Sequence, residues 1–97
     1  MFELHPDAVI EAWEARRHYS EIDPDLGERF YRAVDAARRR IAAAPERWPT
    51  HLHGTRHLLV RGFPYRLVYV IEGGTVVLLA VAHAKRRPGY WRKRLEN

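Results

Sequence analysis

The segment Thr75–His83, with the sequence TVVLLAVAH, places the strongest constraint on the fold because it is nearly continuous in apolar residues. A strand of this kind presents apolar side chains on both faces, so we expect it to be buried at the centre of a sheet. It covers only about a third of the length that a helix needs to cross a bilayer, which excludes a membrane-spanning segment. The preceding Glu72-Gly73-Gly74 predicts a tight hairpin turn into this strand.

The segment Tyr65–Ile71 predicts the other strand of that hairpin, and a charged residue lies inside it. Charged side chains rarely point into a core unpaired, so Arg66 either faces a polar concave surface or pairs with an acid. His57–Arg61 predicts a further strand, and Phe2–Leu4 predicts a short one. Alternation along the hairpin strand assigns its two faces, with Arg66, Val68 and Val70 on one and Tyr65, Leu67, Tyr69 and Ile71 on the other.

Two amphipathic segments near the start of the chain predict a pair of helices. The first follows Pro6, which suits the first turn of a helix, and ends near Ser20–Ile22. The second begins at Asp23-Pro24, a capping carboxylate followed by a proline, and stops before Pro45. The first helix has an apolar stripe of Ala8, Ala12, Ala15 and Tyr19, widened by Val9 and Trp13, whereas Glu11, Glu14 and Arg17 are expected to face water.

The order of these elements predicts a two-layered α+β fold. A short connection between the helices predicts an N-terminal antiparallel helix hairpin, which packs on one face of a small, twisted antiparallel β-sheet. Residues Ala84–Asn97, which are rich in basic and aromatic side chains, are expected to form a short tail or helix. We expect Arg61, Arg66 and the residues after His83 to meet on the opposite face of the sheet. Residues 1–97 should form one domain, because two cores would each be too small to be stable.

The charge of the chain is distributed unevenly. The net charge is +5 with histidine neutral, but residues 1–30 contain eight acidic and three basic side chains, whereas residues 31–97 contain four and fourteen. Clustered basic residues favour a nucleic acid or an acidic protein as partner, although a solvated arginine-rich surface gives the same count. The run Arg38-Arg39-Arg40 is typical of a solvated helix face, and its alternative is contact with phosphate or with an acidic partner.

Composition and local spacing exclude other classes of site. The chain contains no cysteine, so it has no disulfide, thiol nucleophile or cysteine-based zinc site. Its acidic start lacks the basic region and apolar stretch of a signal peptide, and we expect a cytoplasmic protein without a membrane partner. His51, His53 and His57 have a spacing that a metal ion can use, but no carboxylate lies close by in sequence. We therefore predict neither a metal nor another cofactor.

The segment His83–Trp91 combines residue types that metal-free RNA cleavage requires. Histidine titrates near neutrality and serves as a general acid or base, while arginine binds phosphate and stabilises a phosphorane. Alternatively, His83 bonds to backbone at the strand end, and Tyr90 and Trp91 simply cover the sheet. The candidate catalytic residues are His83, Arg66, Arg86 and Tyr90, and the candidate substrate-binding residues are Arg61, Arg87, Arg56 and Trp91.

Three sequence blocks follow the helix hairpin in a recognisable order: Ala44–Pro49 (APERWP), Arg61–Tyr69 (RGFPYRLVY) and Leu79–Arg92 (LAVAHAKRRPGYWR). Together they resemble the ParE/RelE superfamily of bacterial toxins from type II toxin–antitoxin modules, which are often called plasmid stabilisation proteins. The resemblance extends from about Phe2 to Arg94, which is essentially the whole chain. It implies a growth-inhibiting toxin that a cognate antitoxin holds inactive by wrapping around it as helix and strand.

The resemblance also implies a target. RelE-like members cut mRNA in the ribosomal A site, whereas ParE-like members poison DNA gyrase and are not known as nucleases. By position, Arg66 matches the arginine of the RelE-type motif, Tyr90 falls near the RelE-type C-terminal tyrosine, and Arg86 matches the basic residue between them. Where RelE-type toxins tend to place lysines, this chain has Arg56, His57 and Arg61.

Three functions remain open at this stage. The leading interpretation is a metal-independent mRNA endoribonuclease that blocks translation. The alternatives are a gyrase inhibitor, and a degenerate toxin that only binds its antitoxin and represses the operon. The implied antitoxin is acidic in its toxin-binding part, which suits the basic surface, and operator DNA would be contacted only through it.

Overall fold

Two helices precede three consecutive strands, and one short strand comes before both helices. The computed structural model describes residues 1–96, and Asn97, the last residue of the predicted tail, lies outside the described residues. The strand predicted at His57–Arg61 instead covers Arg56–Leu59, and short 3₁₀ helices cover Leu52–Gly54 and Arg92–Glu96. The main elements are β1 (Phe2–Leu4), α1 (Pro6–Ile22), α2 (Pro24–Ala43), β2 (Arg56–Leu59), β3 (Tyr65–Glu72) and β4 (Thr75–His83).

The helix hairpin is tight because one residue serves both helices. The backbone N–H of Asp23 donates to the Tyr19 carbonyl at the end of α1 (3.0 Å), and its carboxylate accepts from the Asp25 N–H at the start of α2 (2.9 Å). Gly27 permits the close approach that follows, since a Cβ at this position would lie 1.8 Å from the Ser20 hydroxyl oxygen. The predicted hairpin is therefore confirmed, with a single capping residue between its helices.

The four strands form one sheet in the order β1-β4-β3-β2. Strand β4 is internal, as its apolar sequence predicts, and pairs antiparallel with β3 and parallel with β1. The predicted α+β architecture is confirmed, but the sheet is mixed rather than purely antiparallel. Strands joined by hairpins must alternate in direction, whereas β1 connects to the rest of the sheet through the helix hairpin and is free to run parallel to β4.

Each face of the sheet has its own core. The hairpin side buries Leu67 and Tyr69 with Phe30 and Ile41 of α2. The tail side buries Val68 with Trp91 of the C-terminal tail. The predicted faces of β3 are therefore confirmed, and the tail forms a partial third layer.

The predicted stripe of α1 is confirmed in part. Ala8 and Ala15 are buried, and Ala12 and Tyr19 pack against them. Trp13 is 66% exposed, so its placement in the buried stripe is wrong. Trp13 lines an open concavity between α1 and α2. No helix within residues 1–96 has the length and apolarity to span a bilayer.

A β-bulge interrupts the pairing of β3 with β4. Val68 pairs with Ala80 and Tyr69 pairs with Leu78, so Leu79 is an extra residue in β4 without an opposite partner. The extra residue shifts the alternation of β4. As a result, Leu79, Ala80 and Ala82 all contribute to the core on the tail side.

Candidate functional site

A cleft of about 120 Å³ opens on the tail side of the sheet, between the end of β4, the loop before β2 and the tail. We call it the basic cleft. Six of the predicted site residues line it: Arg66, His83, Arg86, Arg87, Tyr90 and Trp91. His51 and His57 line it as well. The sheet face that sequence reasoning assigned to Arg66 and the tail is therefore the face on which most candidates meet.

The arginines of the basic cleft are not neutralised by acids. None of its lining residues is Asp or Glu. Within residues 1–96, no carboxylate forms an ion pair with Arg66, Arg86 or Arg87. The concave surface at this end of the molecule therefore carries positive charge that no acid neutralises, which favours an anionic ligand.

His83 lies where β4 gives way to the tail. Its Nδ1 accepts a hydrogen bond from the Lys85 N–H (3.0 Å), so a neutral His83 carries its proton on Nε2. Its ring meets the edge of Tyr65 with centroids 4.9 Å apart. The backbone contact expected at a strand end is therefore present, and it fixes the tautomer of an imidazole that also lines the basic cleft.

His57 is a cleft residue that the sequence-based site did not include. Its ring centroid lies 5.0 Å from that of His51, and burial, then Arg66 and then His51, lower the pKa of His57 below its usual value of 6.5. The available signal was strand alternation, because His57 pairs with Val68 and so lies on the face of β3 that carries Arg66. The spacing of His51, His53 and His57 along the chain instead suits a metal site.

Glu11 of α1 holds the tail against the sheet. Its carboxylate accepts two hydrogen bonds from the Arg94 guanidinium (both 2.9 Å) and one from the Tyr90 hydroxyl (2.6 Å). We call Glu11, Tyr90 and Arg94 the tail latch. The prediction that Glu11 faces water is wrong, since its side chain is only 13% exposed. Helical periodicity could not reveal this contact because Arg94 lies 83 residues further along the chain.

The tail latch also closes an open part of the sheet edge. Pairing of β1 with β4 ends at Leu4 and Leu78, which leaves later backbone groups of β4 without a strand beside them. Glu11 accepts from the Val81 N–H (3.0 Å), and Arg94 donates to the Leu79 carbonyl (2.9 Å). Side chains thus satisfy polar backbone groups that a neighbouring strand would otherwise bond.

Tyr90 serves in the latch as a hydrogen-bond donor. Burial, followed by the hydrogen bond to Glu11, strongly raises the pKa of Tyr90, so its phenol stays protonated at neutral pH. The Arg86 guanidinium lies over the Tyr90 ring, 3.8 Å from its centroid. Through this stacking the latch orients one arginine of the basic cleft.

Two predicted substrate-binding residues lie elsewhere. Arg56 donates to the carbonyls of Glu46 (2.9 Å) and Trp48 (2.7 Å), which anchors the loop after α2. Arg61 is exposed and lies beside Leu59 and residues of α2. The structure does not bring either into the basic cleft, because Arg56 occupies the opposite face of β2 from His57, and Arg61 lies beyond the end of the strand.

A second concavity, of about 260 Å³, lies between α1, α2 and the sheet. We call it the apolar groove; its lining includes Leu4, Val9, Trp13, Tyr31 and Val34. Two arginines at its rim are paired with acids, Arg16 with Glu28 (3.0 Å) and Arg38 with Asp35 (2.8 Å). The groove is therefore apolar in its lining and largely compensated in its charge.

The remaining candidates from the sequence are accounted for on α2. Arg39 pairs with Asp35 at 2.9 Å, beside the Arg38 contact, and Arg40 lies over the Trp48 ring at 5.5 Å. The arginine run is thus partly engaged within its own helix and the following loop. Within residues 1–96, no three histidine or carboxylate side chains form a group that could hold a metal ion.

A helix hairpin on a small mixed sheet, with a basic cleft at the exit of the central strand, places the protein in the class of small ParE/RelE-like toxins. Residues 2–88 match the family described as "ParE toxin of type II toxin-antitoxin system, parDE". The chain belongs to the ParE toxin family of type II toxin–antitoxin systems. The resemblance to the superfamily seen in the sequence blocks is thereby confirmed.

Known relatives agree with this assignment. The chain is 30% identical over 86 residues to Toxin ParE2 of Mycobacterium tuberculosis, in both the CDC 1551 and H37Rv strains, covering 88% of this chain and 82% of the relative. A solved structure, described as the chromosomal ParDE TA system from P. aeruginosa, superposes with a TM-score of 0.75. That match covers 84% of this chain and 92% of the other at 13% identity, and it supports the fold.

Proposed function

We propose that residues 1–97 form a single toxin domain that acts in the cytoplasm by inhibiting DNA gyrase until a cognate antitoxin neutralises it. The match to the ParE family over residues 2–88 carries this proposal, since ParE-like members of the superfamily poison gyrase. The tail latch supports it, because the Tyr90 phenol is bound to Glu11 at 2.6 Å and its raised pKa disfavours proton transfer.

An mRNA endoribonuclease is the second candidate. The observation that favours it is the composition of the basic cleft, where His51, His57 and His83 lie with Arg66 and Arg86 around one cavity. Imidazoles supply an acid and a base near neutral pH, and guanidinium groups hold a phosphate and its developing charge. In this function Arg66 and Arg86 would hold the scissile phosphate while His83 transfers a proton.

One experiment separates the two targets. The toxin is produced together with its neighbouring antitoxin gene, separated from the antitoxin, and added to a gyrase supercoiling assay; in parallel, mRNA ends are mapped in cells that express toxin alone. We expect loss of supercoiling without new mRNA ends. New ends with normal supercoiling would establish the nuclease, and absence of toxicity would indicate a protein that acts only in antitoxin binding.

A set of variants tests the residues within that experiment. His83→Ala, Arg66→Ala and Tyr90→Phe would all abolish cleavage if the basic cleft were a nuclease site, with Arg32→Ala on exposed α2 surface as the matched control. Growth inhibition that survives in all three variants, at normal folded yield, would exclude the nuclease and leave gyrase inhibition standing.

We further propose that the apolar groove receives an amphipathic helix of the antitoxin. The toxin–antitoxin context of the family supports such a partner. The groove also offers what an apolar helix face needs, since Trp13, Leu4 and Tyr31 around it are 66%, 50% and 50% exposed. Acidic residues flanking that helix would meet Arg16 and Arg38 at the rim, in competition with their present partners.

The docking surface is tested by comparing two alanine variants of exposed apolar residues, one that lines the groove and one that does not. Trp13→Ala should weaken co-purification with the product of the adjacent antitoxin gene, because a large aromatic at an interface centre contributes about 2 kcal/mol or more. Ile22→Ala is the matched control, since Ile22 is 63% exposed and is not among the groove lining. Equal retention of both variants would reject the groove as the antitoxin site.

A further inference from the structure

We propose that the histidine end of the basic cleft, formed by His51, His57 and Arg66, binds a phosphodiester group of a nucleic-acid backbone. The proposal concerns binding alone, so it depends neither on gyrase as the target nor on RNA cleavage. It assigns a ligand to residues that the gyrase proposal does not use.

The three side chains converge from different elements. His57 of β2 and Arg66 of β3 belong to neighbouring strands, and both of them line the cleft. In the pairing of these strands, Leu59 lies opposite Arg66. His51 comes from the loop before β2, and its backbone N–H donates to the Thr55 carbonyl, which holds this loop against the start of the strand. The 5.0 Å between the two imidazole centroids allows one oxyanion to accept N–H donors from both rings while Arg66 contacts it from the sheet.

All the charged or titratable acid–base side chains that line the cleft beside these groups are basic, apart from the phenol of Tyr90. Arg66 faces His57 from β3, His51 faces it from the loop, and Arg86 and Arg87 approach from the tail, with His83 at the end of β4. No carboxylate lines the cleft. A protonated His57 is unfavourable beside these cations, so a bound phosphate restores a balance that the protein does not supply itself.

This arrangement couples binding to protons. Burial, Arg66 and His51 lower the pKa of His57 in the free protein, and the negative charge of a bound phosphodiester opposes the Arg66 and His51 contributions. The pKa of His57 therefore rises when the anion binds, so binding takes up a proton and becomes tighter as the pH falls from about 8 to about 6. A cleft whose positive charge came from arginine alone would bind with little dependence on pH in this range.

Anisotropy titrations with fluorescent single-stranded RNA and DNA oligonucleotides of the same sequence test the site. With the full chain at low salt, we expect both to bind, tighter at pH 6 than at pH 8. Arg66→Gln should weaken binding about tenfold, the loss of one charge-assisted contact, while Arg32→Gln on exposed α2 should change it little. Binding of RNA and DNA alike identifies the backbone phosphate as the ligand, whereas binding of only one of the two oligonucleotides, or of neither, overturns the proposal.

The histidines are tested by their own pair of variants. His57→Gln should remove most of the pH dependence, and His51→Gln, at an exposed position, should weaken binding without affecting the fold. His18→Gln on α1 is the matched control. Ring NMR signals of the wild-type protein provide a second measurement, because the pKa of His57 should rise on addition of oligonucleotide. An unchanged His57 titration, or wild-type affinity in both variants, would refute the site, and a negative supercoiling assay would not affect this outcome.

Discussion

The apolar groove and the basic cleft both carry arginines at their margins, but only the arginines of the groove have acidic partners. Arg16 and Arg38 each meet a carboxylate at 3.0 Å or less, whereas within residues 1–96 Arg66 and Arg86 form no ion pair. Two concave surfaces that both carry arginines therefore differ in electrostatic potential, because the arginines of only one of them are paired. The comparison shows that pairing, and not the count of arginines, determines where an anion can bind.

The same two regions each contain a tryptophan with a different role. Trp13 beside the groove is 66% exposed, whereas Trp91 beneath the cleft is 5% exposed and packs on Val68, Ala80 and Ala82. A large exposed aromatic suits a surface that a partner will cover, and a buried one stabilises the layer on which it rests. Substitutions at paired positions can therefore test whether the groove is a docking surface and the cleft a built site.

The largest difference in the free energy of unfolding is expected between alanine variants of the two tryptophans. Trp91→Ala should lower the free energy of unfolding by about 3–5 kcal/mol, because it removes the centre of the tail-side core and leaves a cavity over the sheet. Trp13→Ala should change it by less than about 0.5 kcal/mol. Urea unfolding followed by circular dichroism measures both. Similar losses in the two variants would mean that Trp13 is buried in solution.

The next largest difference in stability is expected between variants that break two different ion pairs. Glu11→Gln should destabilise the protein by about 3 kcal/mol, because Arg94 is then left largely buried without its carboxylate. This is a large part of the roughly 5–15 kcal/mol that stabilises a domain of this size. Glu28→Gln should cost less than about 1 kcal/mol, since the Arg16 pair is more exposed. Urea titration of both variants decides the matter, and equal losses would contradict a structural role for the tail latch.

The smallest effect concerns the acid sensitivity of the cleft. Because the folded protein lowers the pKa of His57, the unfolded chain binds its proton more readily, and stability falls as the pH drops through 6.5 towards the lowered value. Above that window both states are neutral and the contribution vanishes. Arg66→Gln should raise the pKa of His57 and reduce the loss, whereas Arg16→Gln beside the groove should leave this pKa unchanged. NMR titration of the histidine ring signals measures this pKa. A pKa of His57 that is the same in the Arg66 variant as in the wild type would contradict the contact between the two residues.

The elements of this fold were accessible from the sequence because their signals are local. Asp23-Pro24 marks the start of α2 through capping chemistry, and Gly73-Gly74 marks the hairpin into β4 through turn chemistry. The two faces of β3 follow from alternation alone. The parallel pairing of β1 was missed, because three residues carry no information about direction.

The site was predictable only as far as strand alternation extends. Arg66 and the residues after His83 were placed on one face correctly, and the same rule applied to β2 would have added His57 and removed Arg56. The tail latch could not be predicted, because Glu11 appears in the sequence as an ordinary solvent-facing helix residue. Its partner lies near the other end of the chain, and no periodicity links the two.

The extra residue Leu79 shifts the alternation of side chains between the two faces of the sheet, so that the two halves of β4 follow different registers. Had the strand continued in strict alternation from Leu78, Val81 would face the tail and the two alanines would face the helices. The insertion instead presents Ala80 and Ala82 to Trp91, and their small side chains leave room for the indole ring. Deletion of Leu79 itself would therefore leave Tyr69 opposite Leu78 and Val68 opposite Ala80 in regular pairing, whereas deletion of Val81 would turn Ala82 to the other face of the sheet, although each removes a single residue.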